Sequence, residues 1–216
     1  MTDKEILSHV DYTLLKPTAT WEDIKKLCDG AVRYKTASVC VPPCYVSRIK
    51  KEYGDSLNIC TVIGFPLGYS VTESKVTEAE TAVKEGASEI DMVVNVNFVK
   101  NGEFDLVTRE IEAIKKACSD RILKVIIETC YLTEEEKIRL CQCVTDAKAD
   151  YIKTSTGFGT QGATFEDVKL FAANIGKDVK IKAAGGVRTK EAMEEYLKLG
   201  ADRIGASNID PLILNQ

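Results

Sequence analysis

ILKVIIET, at residues 122–129, is the first of three similar apolar segments and is followed by DYIKTSTG (150–157) and VKIKAAGG (179–186). Each segment has the length and composition of a buried strand, and each contains a lysine at its third or fourth position. These residues, Lys124, Lys153 and Lys182, are spaced 29 positions apart. Lysine is rarely buried unless it is paired or functional, because an ammonium group loses its hydration there. The regular spacing therefore indicates a repeating fold that directs amines to one site, where an amine in an apolar pocket can attack a carbonyl group.

The composition is that of one enzyme-sized domain. The chain has 216 residues, and no linker, charge block or low-complexity stretch divides it, so we expect a single domain over residues 1–216. Its 29 basic and 33 acidic residues are interspersed and give a net charge of −4. Because no basic stripe is present, nucleic acid is not an expected partner.

The sequence also argues against a membrane, a disulfide framework and a metal site. The start, MTDKEILSHV, is not typical of a signal peptide, and no apolar run approaches the roughly 20 residues of a membrane span, so we expect a cytoplasmic protein. The eight cysteines should then be free thiols. His9 is the only histidine, which argues against Ser-His-Asp catalysis and against multi-histidine metal chemistry; no metal is expected.

Eight apolar, β-branched runs alternate with segments of helical periodicity. They are HVDYTLLK, TASVCVPP, NICTVIGFP, EIDMVVNVN, ILKVIIET, DYIKTSTG, VKIKAAGG and DRIGAS. Strand–helix alternation predicts parallel strands with helical crossovers. Eight units of about 27 residues predict a (β/α)8 TIM barrel, with a closed parallel sheet, outer helices and a short N-terminal helix. The alternative, a doubly wound open sheet, lacks a G-x-G-x-x-G after its first strand.

Several helix ends can be located by their capping residues. Thr133 and Glu136 have the spacing of a capping box. Other threonines are expected to start helices and two glycines to end them: Thr20, Thr72, Thr189, Gly86 and Gly200.

Side-chain alternation predicts that the ionisable strand residues meet. Residues two apart in a strand share a face, so Lys124 shares one with Glu128, and Asp91 lies similarly on the preceding strand. If Asp91 and the three lysines all point inward, they converge near the C-terminal mouth of the barrel. Two alternatives remain open: a lysine can point outward beneath a helix with its ammonium group in water, and Glu128 can neutralise Lys124 as a core pair.

The expected chemistry depends on the charge of the lysines. A lysine of ordinary pKa, about 10.4, is almost never neutral at pH 7, but burial and a neighbouring ammonium group both lower that pKa. Adjacent Lys153 and Lys182 would therefore favour a free amine. Asp91 could hold water and move protons, or could equally be a structural counter-ion.

Three glycine-bearing turns follow the last three predicted strands. They contain Thr156 and Gly157, then Gly185, Gly186 and Arg188, and finally Gly205, Ser207 and Asn208. Backbone N–H groups in such turns approach anions closely, and this rim of a barrel commonly binds phosphate. The alternative is plain turn geometry.

These residues also carry a family resemblance. HVDYTLLKP, ASVCVPP, VIGFPLG, EIDMVVNVN, LKVIIET, YIKTSTGFG and KAAGGVRT, in this order, resemble the deoxyribose-phosphate aldolases, which are class I aldolases. The similarity extends from Asp11 to Asn208. It implies that Lys153 forms a Schiff base, that Lys182 lowers its pKa and carries protons, and that Asp91 activates water.

The resemblance implies further site residues. It places a supporting lysine at Lys124, an aspartate at Asp11 and a substrate-near cysteine at Cys40, which we interpret as a packed small hydrophobe. Phosphate contacts would fall on Gly157, Gly185, Gly186, Arg188, Gly205, Ser207 and Asn208.

The implied reaction is the reversible cleavage of 2-deoxy-D-ribose 5-phosphate to acetaldehyde and D-glyceraldehyde 3-phosphate, without metal or organic cofactor. The alternatives are another Schiff-base enzyme, such as a transaldolase or a keto-acid aldolase, and a non-catalytic barrel that binds sugar phosphates. A homodimer or homotetramer is expected.

Two positions depart from the family pattern. Phe158 stands where some relatives have a phosphate-binding lysine, so that contact must be lost or replaced by backbone groups. Longer relatives end in a tyrosine-tipped tail, whereas this sequence ends at residues 211–216, PLILNQ.

Overall fold

The computed structural model of the chain describes residues 1–210, so the C-terminal segment discussed above lies outside the described residues. Within this range, eight parallel strands close into a barrel in chain order, with the last strand paired to the first. This confirms the predicted (β/α)8 barrel. The strands are β1 (Val10–Thr13), β2 (Ser38–Val41), β3 (Ile59–Ile63), β4 (Glu89–Val93), β5 (Ile122–Ile126), β6 (Tyr151–Lys153), β7 (Lys180–Ala184) and β8 (Arg203–Ala206).

Helices surround the barrel, and a short one precedes it, as expected. They are α1 (Asp3–Leu7), α2 (Trp21–Tyr34), α3 (Val46–Tyr53), α4 (Thr72–Glu85), α5 (Val96–Lys100), α6 (Phe104–Ala117), α7 (Glu134–Asp146), α8 (Phe165–Asn174) and α9 (Lys190–Lys198). None of these described helices combines the length and hydropathy that a bilayer crossing requires.

Most of the predicted helix ends are confirmed. Thr133 and Glu136 form the capping box of α7, with reciprocal contacts of 3.2 and 2.7 Å. Gly86 ends α4 in the left-handed region, with φ of 110°. The helix α4 starts at Thr72, as expected, but Val71 and not a threonine occupies its capping position, without a side-chain hydrogen bond.

Side-chain alternation divides the barrel into an apolar outer layer and a polar interior. Along β4, Ile90 and Met92 are completely buried in the apolar core. Glu89 and Asp91, on the opposite face of the same strand, point into the barrel. Burial of each large aliphatic side chain contributes about 1.5–3 kcal/mol, so the outer layer stabilises the sheet. The interior carries the charges.

Strand register brings the charged residues to neighbouring positions. Asp91 is the register partner of Lys124 across β4 and β5, and Lys153 is the partner of Lys182 across β6 and β7. Because in-register residues of parallel strands point to the same side of the sheet, both pairs face the interior. Lys124 is itself the register partner of Tyr151, so the two pairs start at different levels along the strands and meet through their side chains.

Candidate active site

Asp91 lies at the centre of a buried group of amines. Its Oδ2 atom accepts hydrogen bonds from Nζ of Lys153 and of Lys182, each at 2.7 Å, and its Oδ1 atom accepts one from Nζ of Lys124 at 2.9 Å. The four side chains are at most 3% exposed. The structure therefore brings together the four residues expected to converge, and none of them points outward beneath a helix. Burial alone would raise the pKa of Asp91, but the three ammonium groups outweigh it and hold that pKa well below its usual range.

Lys124 is held by three carboxylates. Besides Asp91, its Nζ lies 2.5 Å from Glu89 Oε2 and 3.6 Å from Asp11 Oδ2. These carboxylates outweigh the effect of burial and raise the pKa of Lys124 well above its ordinary value. Lys124 is therefore a permanent cation of the site.

The expected alternative pairing of Lys124 with Glu128 is wrong. Glu128 follows the end of β5 in a left-handed conformation, with φ of 53°, which breaks the strand alternation that placed the two on one face. Its carboxylate instead accepts hydrogen bonds from the backbone N–H of Thr156, at 3.1 Å, and from the Thr156 hydroxyl. Glu128 thus anchors the turn after β6.

Lys182 bridges two carboxylates. Its Nζ lies 2.6 Å from Asp11 Oδ2 and 2.7 Å from Asp91 Oδ2. Burial alone would lower the pKa of Lys182, but these two charges raise it above its ordinary value. Asp11 is in turn fixed by Ser38, whose hydroxyl donates to Oδ1 at 2.8 Å, and the surrounding cations outweigh burial and lower the pKa of Asp11.

Lys153 differs from the other two lysines in its charge environment. Among the described residues, Asp91 alone supplies a carboxylate within 4 Å of its amine, whereas Lys182 has two such partners and Lys124 has three. Lys153 also lines a cavity that the other two lysines do not reach. It is therefore the one amine of the three that a ligand in the cavity could reach, and the least compensated cation among them.

Sequence reasoning missed two members of this buried cluster, Glu89 and Arg203. Arg203 Nη2 and Nη1 donate to the two oxygens of Glu89 at 3.1 and 3.2 Å, and Nη1 also contacts Asp11 Oδ1 at 2.5 Å. A signal for Glu89 was present, because it lies two positions before Asp91 in EIDMV and so shares its face.

A cavity of about 410 Å³ opens at the C-terminal ends of β1, β6, β7 and β8. Most of the expected phosphate-binding residues line it, together with Lys153: Thr156, Gly157, Gly185, Gly186, Arg188, Gly205 and Ser207. The size is sufficient for a small ligand. The amine and the glycine turns therefore face the same space.

The turn after β7 requires glycine for steric reasons. Gly185 and Gly186 are both left-handed, with φ of 88° and 75°, and a Cβ on Gly185 would lie 3.0 Å from Gly162 Cα. Plain turn geometry thus accounts for these glycines as fully as anion binding does. Arg188 favours anion binding independently of turn geometry. It is an exposed cation on this cavity and makes no ion pair with any described residue.

Three expected substrate-binding residues do not line the cavity. Asp11 lies beneath it in the charged cluster. Cys40 is buried against Cys60 and Val62, consistent with a packed hydrophobe. The side-chain oxygen of Asn208 accepts a hydrogen bond from the backbone N–H of Asp210 at 2.9 Å.

Phe158, one of the two departures from the family pattern, faces the same cavity. Phe158 is half exposed and packs edge-on against Phe65, with 5.3 Å between ring centroids. Sequence reasoning missed Lys16, an exposed residue after β1 that also lines the cavity and makes no ion pair within residues 1–210. A second cation is therefore available to an anion in the cavity.

Two groups of side chains have donor atoms close enough for a metal ion. They are Cys40, Cys60 and Asp91, and Asp11, Cys60 and Glu89. Their carboxylate oxygens already contact lysine or arginine nitrogens. These cations compete with a metal ion for the same oxygens, so the donor sets fit ion pairing better than coordination.

Buried amines beneath a cavity that can hold an anion define a class of (β/α)8 enzymes, the aldolases that bind carbonyl substrates through lysine. Residues 6–208 match the DeoC/LacD family of aldolases, and the chain belongs to this family. It is therefore an aldolase, a carbon–carbon lyase, and the resemblance inferred from its motifs is confirmed.

The chain is similar to curated family members over nearly its whole length. It is 62% identical to deoxyribose-phosphate aldolase of Clostridium botulinum (strain Alaska E43 / Type E3), over 96% of this chain and 94% of that protein. For deoxyribose-phosphate aldolase of Clostridioides difficile (strain 630), the identity is 54%, over 99% and 97%. A tetrameric deoxyribose phosphate aldolase structure from Aeropyrum pernix superimposes with a TM-score of 0.92 and 31% identity, covering 99% of this chain and 92% of that one.

Proposed function

We propose that the chain reversibly cleaves 2-deoxy-D-ribose 5-phosphate to acetaldehyde and D-glyceraldehyde 3-phosphate. The names of the curated relatives support this substrate. The single structural observation that carries the proposal is that Lys153, the least compensated amine of the cluster, lines the same cavity as Arg188 and the glycine turns. A sugar phosphate could thus bind with its phosphate at these turns and its aldehyde near the amine.

In the first step, neutral Lys153 attacks C1 of the open-chain sugar, and loss of water forms an iminium ion. A base then removes the proton of the C3 hydroxyl group. The C2–C3 bond breaks, its electrons move to the iminium, and glyceraldehyde 3-phosphate leaves. The two-carbon enamine that remains is protonated at C2, and hydrolysis releases acetaldehyde and the free amine. The iminium is the electron sink of this reaction.

The residues around Lys153 have complementary roles in this proposal. Asp91 and Lys182 share a hydrogen bond at 2.7 Å and together hold the water that carries protons. Lys182 also bridges to Asp11, so it can remain charged after Lys153 has lost its proton. Lys124 keeps Asp91 ionised.

Trapping of the iminium tests the proposal. The protein is incubated with 2-deoxy-D-ribose 5-phosphate and borohydride, and the modified peptide is identified by mass spectrometry. The expected result is one reduced adduct on Lys153. An adduct on another lysine, or none with an active preparation, would contradict the assignment.

Replacement of the amine separates catalysis from binding. Lys153→Leu should abolish cleavage while the fold and the binding of inorganic phosphate persist. If the variant retained turnover, Lys153 would not be the nucleophile. Lys169→Leu, on the exposed surface of α8, is the matched control and should behave as wild type.

We also propose that the chain forms a homodimer or homotetramer and acts in the cytoplasm. The tetrameric relative from Aeropyrum pernix supports an assembly, and eight unbonded cysteines, most of them buried, suit a reducing compartment. Light scattering coupled to size-exclusion chromatography would measure the assembly, and a monomer at all concentrations would contradict it.

A further inference from the structure

We propose that Glu89 and Arg203 are positioning residues that set the protonation of Lys153 in opposite directions, acting through other side chains and without contacting substrate. This inference rests on the proposed function, because it requires Lys153 to react as a free amine. It concerns Glu89 and Arg203 because they contact the buried charges, do not line the cavity and were not assigned by any motif.

The contacts define a chain of alternating charges from this pair to Lys153. Glu89 lies 2.5 Å from Lys124, which lies 2.9 Å from Asp91 Oδ1. The other oxygen of Asp91 holds Lys153 at 2.7 Å. Glu89 and Asp91 therefore both stabilise the positive charge of Lys124.

A second route runs from Arg203. Its guanidinium contacts Asp11 at 2.5 Å, and Asp11 contacts Lys182 at 2.6 Å. Lys182 binds the same Asp91 oxygen as Lys153. Both routes therefore end on Asp91, the carboxylate that stabilises the charged form of Lys153.

The two residues have opposite effects through these routes. Without the negative charge of Glu89, Lys124 depends more on Asp91, and Asp91 stabilises the Lys153 ammonium less. The charged form of the Lys153 amine is then less stabilised. Without the positive charge of Arg203, Glu89 and Asp11 compensate Lys124 and Lys182 more fully. Asp91 then interacts more strongly with Lys153, and the charged form of this amine is more stabilised.

Other ionisable groups face this cluster and are the same in every variant compared. They are the Cys40 and Cys60 thiols, Tyr151 at the Arg203 end, and Glu128, Lys16 and Arg188 at the rim. Glu128 is hydrogen-bonded to Thr156, and Lys16 and Arg188 lie across the cavity. The predicted sign of each shift therefore depends on the substituted residue alone.

The test measures how the reactivity of the Lys153 amine depends on pH. Full-length protein is treated with acetaldehyde and cyanoborohydride over a pH series, and the rate of adduct formation on Lys153 is followed by mass spectrometry. The acid limb of kcat/KM for 2-deoxy-D-ribose 5-phosphate is measured in parallel. Glu89→Gln should move both profiles to lower pH, and Arg203→Gln to higher pH, each by about one pH unit for a unit charge in this partly shielded interior.

Matched variants separate charge from packing. Glu89→Asp and Arg203→Lys keep the charge and should restore the wild-type profiles, whereas Glu112→Gln, on the exposed face of α6, controls for net charge. The double variant Glu89→Gln with Arg203→Gln should give profiles near wild type, and it tests the inference even if a single variant folds poorly. Shifts in the same direction, or shifts that the conservative variants do not reverse, would overturn it. If wild-type Lys153 forms no adduct, the proposed function itself fails.

Discussion

Lys153 and Asp91 are joined by a contact of 2.7 Å between amine Nζ and carboxylate Oδ2, although 62 positions separate them in the chain. The same oxygen also accepts a hydrogen bond from Lys182. In the proposed reaction Lys153 loses its proton to become a nucleophile, and Asp91 then keeps Lys182 as a cationic partner. The carboxylate would therefore stay in place for the proposed proton transfers.

Replacement of Asp91 should separate Schiff-base formation from turnover. Asp91→Asn should lower kcat by about 10²- to 10⁴-fold, because an amide cannot move the required protons. Trapping of acetaldehyde on Lys153 should persist, since the amine is unchanged and loses only the carboxylate that stabilises its charged form. Turnover and trapping are measured on the same preparation, with Asp178→Asn, an exposed position, as the control. Unchanged turnover would exclude Asp91 from proton transfer.

The depressed pKa values of Asp11 and Asp91 predict a loss of stability in acid. A carboxyl group whose folded pKa is lowered stabilises the fold above its unfolded pKa, about 3.9, and this contribution is lost as the pH falls toward the folded value. The free energy of unfolding should thus fall below about pH 4, by up to about 1.4 kcal/mol per pH unit for each group. Asp11→Asn should be less stable at pH 7 but show a shallower dependence in urea titrations from pH 7 to 3. An equal slope would contradict the assignment.

A second buried ion pair, outside the site, should be important for stability. Lys75 of α4 and Glu110 of α6 are 2.8 Å apart with fully buried side chains. Lys75 also donates to the backbone oxygen of Val93, and Glu110 accepts from the backbone N–H of Asn95, at the end of β4. Lys75→Met leaves a buried charge without its partner and should destabilise the fold by about 3–5 kcal/mol. The double variant with Glu110→Leu should cost less than Lys75→Met alone. Urea unfolding measures both, and strictly additive losses would exclude the coupling.

Lys16 should contribute to recognition of the phosphate group. It lines the cavity with Arg188, and one guanidinium cannot fully neutralise a phosphate dianion. Lys16→Gln should raise KM for 2-deoxy-D-ribose 5-phosphate by about tenfold with kcat nearly unchanged, whereas kinetics with unphosphorylated 2-deoxyribose should not change. Lys16→Arg should retain function, and Lys169→Gln is the surface control. An equal loss with both sugars would show a role unrelated to phosphate.

Much of the site could be predicted because its residues lie on regular strands. The alternation of side chains turns four of them into the barrel: Asp91, Lys124, Lys153 and Lys182. Parallel register then pairs Asp91 with Lys124 and Lys153 with Lys182. The expected position of Glu128 was wrong because its left-handed backbone ends the alternation of side chains. Lys16 was missed because it lies in a loop, where side chains do not alternate regularly between two faces.

Patterns among residues near one another in the chain were enough to predict the repeating strand–helix unit, the inward face of each strand and the family of the chain. Which charges pair depends instead on contacts between residues far apart in the chain. Arg203 meets Asp11 across 192 positions, because β8 closes against β1. Closure of the barrel places the two side chains in the same interior. Because this interior is of low polarity, the charge of each cation is stabilised mainly by the carboxylates that it contacts.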